Sequence, residues 1–168
     1  MIHLITGDGK GKTTAAAGQA IRAAGHGWRV LFVQFLKDGS SGEIRILRNT
    51  EGITVRVPAV KAGFTFRMTE EEFAEAAEAN EKLLLSVKES GADLIVLDEV
   101  LHLLKTGMIR REELEEVLDA GSGRGAEMVL TGREAPEWLR ERADYLSVIR
   151  KEKHPYDRGI GARRGVEW

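Results

Sequence analysis

The stretch Ile2-His3-Leu4-Ile5-Thr6-Gly7-Asp8-Gly9-Lys10-Gly11-Lys12-Thr13-Thr14-Ala15-Ala16-Ala17 reads as a strand, a glycine loop and a helix in immediate succession. In that context glycines let backbone N–H groups turn inward against phosphate oxygens, and the helix adds its positive N-terminal end. Lys12 is placed to reach a terminal phosphate, and the Thr13 hydroxyl is offered to a magnesium ion. Only three residues separate Gly7 from Gly11, one fewer than the usual phosphate-loop spacing. Thr6 takes the conventional first glycine slot, and Lys10 adds a second cation inside the loop. A nucleoside triphosphate held by Gly7, Asp8, Gly9, Lys10, Gly11, Lys12, Thr13 and Thr14 is the expectation. A glycine-rich turn without a ligand is the competing reading, disfavoured by the strand before it and the helix after it.

Working outward, Leu94-Ile95-Val96-Leu97-Asp98-Glu99 is an apolar run ending in two carboxylates. A buried strand that ends in an acid sets that acid at the carboxyl edge of the sheet, beside the phosphate loop. Asp98 is therefore expected to hold magnesium with Thr13, directly or through water, and Glu99 to polarise water or fix a neighbouring loop. Arg133, in Thr131-Gly132-Arg133 after the apolar Met128-Val129-Leu130, reaches the same edge and suits a phosphate contact. A solvated loop arginine fits that position equally well.

Apolar runs alternate with amphipathic stretches, the pattern of an α/β protein with a mostly parallel sheet. Strands are expected at 2–6, 29–35, 53–57, 93–98, 126–131 and 144–150, and helices at 13–24, 70–89, 110–119 and 136–143. Thr69 and Glu72 form a capping box for the second helix, which is expected to end at Gly91. His26 reads as a helix terminator. At 168 residues the chain suits one domain, 1–168. A net charge of −2 offers no electrostatic footprint for nucleic acid. Every apolar run is too short to span a membrane, and a strand at the N-terminus leaves no room for a signal peptide, so the cytoplasm is the expected location. With no cysteine, thiolate metal sites are excluded.

The chain resembles the P-loop type ATP:corrinoid adenosyltransferases, in order and over nearly its whole length. The resemblance runs through Gly7 to Thr14, Arg22-Ala23-Ala24-Gly25-His26-Gly27 and Val33-Gln34-Phe35-Leu36-Lys37. It continues through Gly63-Phe64-Thr65-Phe66, Leu97-Asp98-Glu99, Thr131-Gly132-Arg133, Lys153-His154-Pro155-Tyr156-Asp157-Arg158-Gly159 and Ala162 to Gly165. It implies a three-layer P-loop NTPase (RecA-like) fold and transfer of the 5′-deoxyadenosyl group of ATP to the cobalt(I) of a reduced corrinoid, with triphosphate as leaving group. Such a reaction needs no protein nucleophile, because cobalt(I) is one; Lys10, Lys12, the loop N–H groups and magnesium on Thr13 and Asp98 suit the leaving group. Lys12, Asp98 and Glu99 are thus the implied catalytic residues. The resemblance also assigns Phe64, Phe66 and His154 to the corrinoid, the two aromatics crowding its lower face so that cobalt(II) is reducible by an electron donor. A homodimer is implied as well.

Departures from the family pattern mark where the resemblance stops. Phe66 replaces a tryptophan, Arg67-Met68-Thr69 stands for Glu-Thr-Gln, and Leu101 removes a polar side chain. Gly121-Ser122 replaces Arg-Pro, which suggests a looser loop there. Many members carry an N-terminal extension over the site, so closure here is expected from the 159–168 tail or a second subunit. The rival readings are a small-molecule kinase, with Arg133, Arg140 or Arg142 as clamps, and an ATP-dependent switch with Glu99 positioning water.

Overall fold

The computed structural model describes residues 1–59 and 68–167. Their six strands form one parallel sheet: β1 (Ile2–Thr6), β2 (Val30–Gln34), β3 (Ile53–Arg56), β4 (Leu94–Asp98), β5 (Glu127–Thr131) and β6 (Tyr145–Val148). The order across the sheet is β3-β2-β4-β5-β1-β6, and every neighbouring pair is parallel. β2 and β4 are buried along their whole length, as continuous apolar strands covered on both faces must be.

Side-chain alternation divides the interior into two cores. Leu31, Val33, Ile95, Leu97, Met128 and Leu130 face α3 (Glu70–Leu85), α4 (Val100–Thr106), α5 (Arg111–Gly123) and α6 (Glu137–Arg142). Val30, Phe32, Leu94, Val96 and Val129 face α1 (Lys12–Gly25) and α2 (Gly42–Arg48), which contribute Ala16, Ala17, Ala20, Ile44 and Leu47. The small alanines let α1 lie close against the sheet, directly behind the loop that precedes it. Helix, sheet and helix thus make the three layers of a RecA-like P-loop fold, with all strand carboxyl ends on one edge. No helix among the described residues is long and apolar enough to cross a membrane.

All six expected strands are present within two residues of their expected ends. The expected helices at 13–24 and 136–143 stand within one residue of α1 and α6, and the others needed correction. α2 and α4 were not expected; both are seven residues long, and neither has a side-chain cap to announce it. α3 starts at the expected capping box: the Glu72 N–H donates to Thr69 Oγ1 at 3.2 Å, and the Thr69 N–H donates to Glu72 Oε2 at 2.8 Å. It stops at Leu85 rather than near Gly91, passing into a 3₁₀ turn over Ser86–Glu89, where the Ser86 hydroxyl donates back to the Leu83 carbonyl. Gly121-Ser122 is no loop; both residues lie inside α5, and a Cβ on Gly121 would run into Met128 Sδ. His26 does terminate α1, its N–H donating to the Ala23 carbonyl at 3.0 Å.

Candidate active site

The loop over 7–11 joins β1 to α1 at the carboxyl edge of the sheet. Gly7 and Gly11 have φ of 110° and 118°, conformations reserved in practice for glycine. Lys12 is 8% exposed and folds back over the loop, its Nζ donating to the Gly9 carbonyl at 2.8 Å. Burial pushes its ammonium below the ordinary 10.5, opposed first by the Glu99 carboxylate. A cation held this way is poised for an anion that completes its coordination.

The loop is clamped from the side. Gly9 N–H donates to the Ile149 carbonyl at 2.8 Å, and the Lys151 N–H donates to Asp8 Oδ1 at 3.0 Å. That backbone bond is the main reason the Asp8 carboxyl lies below its usual range. A Cβ on Gly9 would come within 2.8 Å of the Arg150 carbonyl, and one on Gly7 would strike the Ile149 carbonyl. Gly7 is therefore required twice, by backbone conformation and by the close pass of the segment leaving β6, whereas Gly11 is required by conformation and Gly9 by the close pass.

Asp98 ends β4 fully buried. Its Oδ2 accepts from Gln34 Nε2 at 3.1 Å and from the Thr13 hydroxyl at 3.3 Å, and Lys37 Nζ lies 3.8 Å away. Its Oδ1 accepts from the Thr131 hydroxyl at 2.7 Å. Thr13 and Asp98 thus stand together as hard oxygen donors beside the phosphate loop, a set that suits magnesium completed by phosphate oxygens and water. Glu99 follows in a left-handed conformation (φ 65°), which breaks the strand and starts α4 at once.

A cleft of about 1160 Å³ opens over these groups. The whole run from Asp8 to Thr14 lines it, together with Lys37, Glu99 and Arg133, and with Lys151, His154 and Tyr156 from the segment after β6. Gly165, Val166 and Glu167 also line it, so the expected tail does reach the cleft. His154 Nδ1 accepts from the Tyr156 N–H at 3.1 Å, capping a 3₁₀ turn over Pro155–Arg158.

The expected loop residues, Thr13, Asp98, Glu99, Arg133 and His154 therefore meet at one place. Phe64 and Phe66 lie outside the described residues. Arg140 and Arg142, the clamps of the kinase reading, pair instead with Glu137 and Asp119 and do not line the cleft. Four contributors escaped the sequence reading as individual residues: Gln34, Lys37, Thr131 and the 149–151 backbone. A polar residue at the end of an apolar strand was the available signal for Gln34 and Thr131. Nothing local announces the clamp.

The family model for ATP:corrinoid adenosyltransferase BtuR/CobO/CobP matches residues 1–168. A corrinoid adenosyltransferase of Escherichia coli strain K12 is 33% identical, covering 100% of this chain and 85% of the relative. Those of Salmonella typhimurium and Pseudomonas aeruginosa are 34% and 37% identical, again over 100% of this chain and 85% and 82% of the relatives. Among solved structures, the replication initiator DnaA bound to AMPPCP and single-stranded DNA matches 88% of this chain and 40% of that one, at 18% identity and a TM-score of 0.48. With a family match running from Met1 to Trp168 and a phosphate loop, Glu99 and Arg133 lining one cleft beside the buried Asp98, the chain belongs to the ATP:corrinoid adenosyltransferases.

Proposed function

We propose that this chain transfers the 5′-deoxyadenosyl group of ATP to the cobalt of a reduced corrinoid. Cobalt(I) attacks C5′, the Co–C5′ bond forms as the C5′–O5′ bond breaks, and the electron pair leaves with triphosphate; cobalt passes formally to cobalt(III). The observation that carries the reading is the family match over residues 1–168, on a chain whose loop, Glu99 and Arg133 share one cleft. The size of that cleft supports it, because about 1160 Å³ exceeds what a drug-sized ligand usually fills and leaves room for part of a second, larger substrate.

Each side chain then has a definite task. The loop N–H groups and Lys12 hold the triphosphate, and as charge grows on O5′ they stabilise it without rearranging. Lys10, Lys37 and Arg133 line the cleft and add positive charge along the phosphate chain. Thr13 would hold magnesium through its hydroxyl, with Asp98 acting through Thr13 or a water, since its own oxygens already accept protein hydrogen bonds. When bound, magnesium neutralises part of the charge that leaves with triphosphate. Ala17, Gly18 and Ile21 of α1 supply the less polar wall against which the nucleoside packs. Phe64, Phe66 and His154 are assigned to the corrinoid. A homodimer in the cytoplasm, one domain per chain, and a separate donor of the electron that reduces cobalt(II) complete the proposal.

The test is anaerobic: purified protein, ATP, magnesium and chemically reduced cobalamin, followed by visible spectra and phosphate analysis. Light-sensitive adenosylcobalamin with stoichiometric triphosphate is the expected result. Folded protein that binds ATP, leaves cobalt(I) unchanged and releases ADP would turn the assignment to a kinase or an ATPase switch.

A further inference from the structure

The ends of β2, β4 and β5 carry a row of three fully buried polar side chains, Gln34, Asp98 and Thr131. Gln34 pairs in register with Asp98, and β5 is the next strand over, between the strand of Asp98 and the strand of the phosphate loop. The two oxygens of Asp98 are held differently. Oδ2 faces Gln34 and Thr13, whereas Oδ1 has the Thr131 hydroxyl as its donor, at 2.7 Å.

The same Thr131 hydroxyl oxygen accepts from the Glu99 N–H at 2.9 Å. Glu99 needs such an acceptor, because its left-handed backbone turns that N–H out of the strand ladder. One hydroxyl therefore sets two things: the rotation of the Asp98 carboxylate and the backbone that carries Glu99 to the cleft wall. Thr131 is itself held rigidly. The following Gly132 lies so close to α4 that a Cβ there would come within 2.5 Å of Leu101 Cβ.

We propose that Thr131 is a positioning residue, turning Asp98 so that Oδ2 meets Thr13 at the magnesium position and fixing Glu99 beside it. Valine has the shape of threonine without the hydroxyl, so Thr131→Val leaves Asp98 Oδ1 and the Glu99 N–H without their buried partner. Asp98 is then held through Oδ2 alone, by Gln34 and Thr13, and the acceptor of Thr13 is less firmly fixed. Serine restores the hydroxyl and both hydrogen bonds. The inference rests on the adenosyltransferase reading for its turnover readout alone; its magnesium readout stands apart from it.

Calorimetric titration of the folded variants with ATP at a series of magnesium concentrations tests this, with turnover and melting temperature measured alongside. Thr131→Val should raise the magnesium needed for half-maximal ATP binding about 10-fold, the lower end of the usual effect of disturbing the residue that supports a metal ligand, here Asp98 behind Thr13. Its kcat should fall more than its KM for the corrinoid rises, and Thr131→Ser should return both to near the parental values. Should Thr131→Val not fold, Thr131→Ala carries the same comparison. A hydroxyl-free variant with the parental magnesium requirement overturns the proposal, as does a serine variant that behaves like valine. ATP binding indifferent to magnesium in the parental protein overturns it too. Parental protein that binds MgATP but leaves cob(I)alamin untouched would remove the adenosyltransferase reading and leave Thr131 to be judged on the magnesium titration.

Discussion

Replacing Gly9 by alanine strains the phosphate loop through a single methyl group. Its Cβ would sit 2.8 Å from both the carbonyl carbon and oxygen of Arg150, and 2.8 Å from Ile149 Cγ2, where ordinary contact begins at 3.4 Å. Backbone atoms cannot rotate aside as a lysine tip would, so loop and clamp must part by about 0.6 Å. That movement stretches the 2.8 Å bond from the Gly9 N–H to the Ile149 carbonyl to about 3.4 Å, beyond useful hydrogen-bond range. Overpacking costs about 1–3 kcal/mol and the weakened bond about 1 kcal/mol, roughly 2–4 kcal/mol together. In a domain of this size each kcal/mol moves the midpoint by about 2–4 °C, so calorimetry should find Tm lower by about 4–16 °C. Turnover should fall as well, on the order of tenfold, because the displaced Gly9 carbonyl is the anchor of Lys12 Nζ. Gly18→Ala is the control for stability: it lies in α1 with nothing within 4 Å of its Cβ, and should hold or raise Tm. A Gly9→Ala protein with parental Tm and parental turnover would refute the clamp and the reasoning built on it.

Four further outcomes are expected. Lys12→Ala should lower single-turnover product formation by about 10²–10³ at saturating ATP through lost leaving-group stabilisation, and near-parental turnover in folded protein would sink the cradle assignment. Phe64→Ala should slow the reaction from cobalt(II) more than from pre-reduced cobalt(I), and equal losses from the two starting states would make Phe64 a packing residue. Thr69→Ala removes one half of the capping box on α3 and should cost about 1 kcal/mol, read as a Tm lower by about 2–4 °C; no change would mean that α3 starts elsewhere. Glu167 has its carboxyl lowered from 4.5 to about 2, chiefly by the Arg163 guanidinium. A lowered acid stabilises fully above its unfolded value, so the Arg163–Glu167 turn should persist at pH 4.5 and above and be lost as the pH falls toward 2. A Glu167 carboxyl midpoint near 4.5 by NMR would show that this turn does not form in solution.

What could be read from the chain alone was whatever is encoded within a few neighbours. β1 and its loop, the apolar run into Asp98, and the Thr69–Glu72 box each carry their signal in adjacent residues, and each stands where it was expected. α4 gave no such signal, because it begins straight from a strand through a left-handed Glu99 instead of a polar cap. Gly121 was misread as a loop glycine, since its real reason is the Met128 sulfur on a neighbouring strand. The site divides along the same line. Lys12, Thr13 and Asp98 were legible from spacing, whereas Gln34 and Thr131 act through hydrogen bonds between strands whose order no local pattern encodes. His154, Tyr156, Asp157 and Gly165 against the cleft were legible as a resemblance, but the backbone grip of Ile149 and Lys151 on the loop was not.

That grip has a consequence for the order in which the protein is made. β1 emerges first, yet its two partners in the sheet are β5 and β6, more than a hundred residues downstream. The phosphate loop then waits for Ile149 and Lys151 before its backbone is pinned. Contacts so distant along the chain are slow to form. A nascent chain halted at residue 140 would carry the whole glycine loop and the paired acids, and would still lack the strand and clamp that shape them. Competence for ATP should appear late and abruptly during synthesis, after the segment through Lys151 has cleared the ribosome.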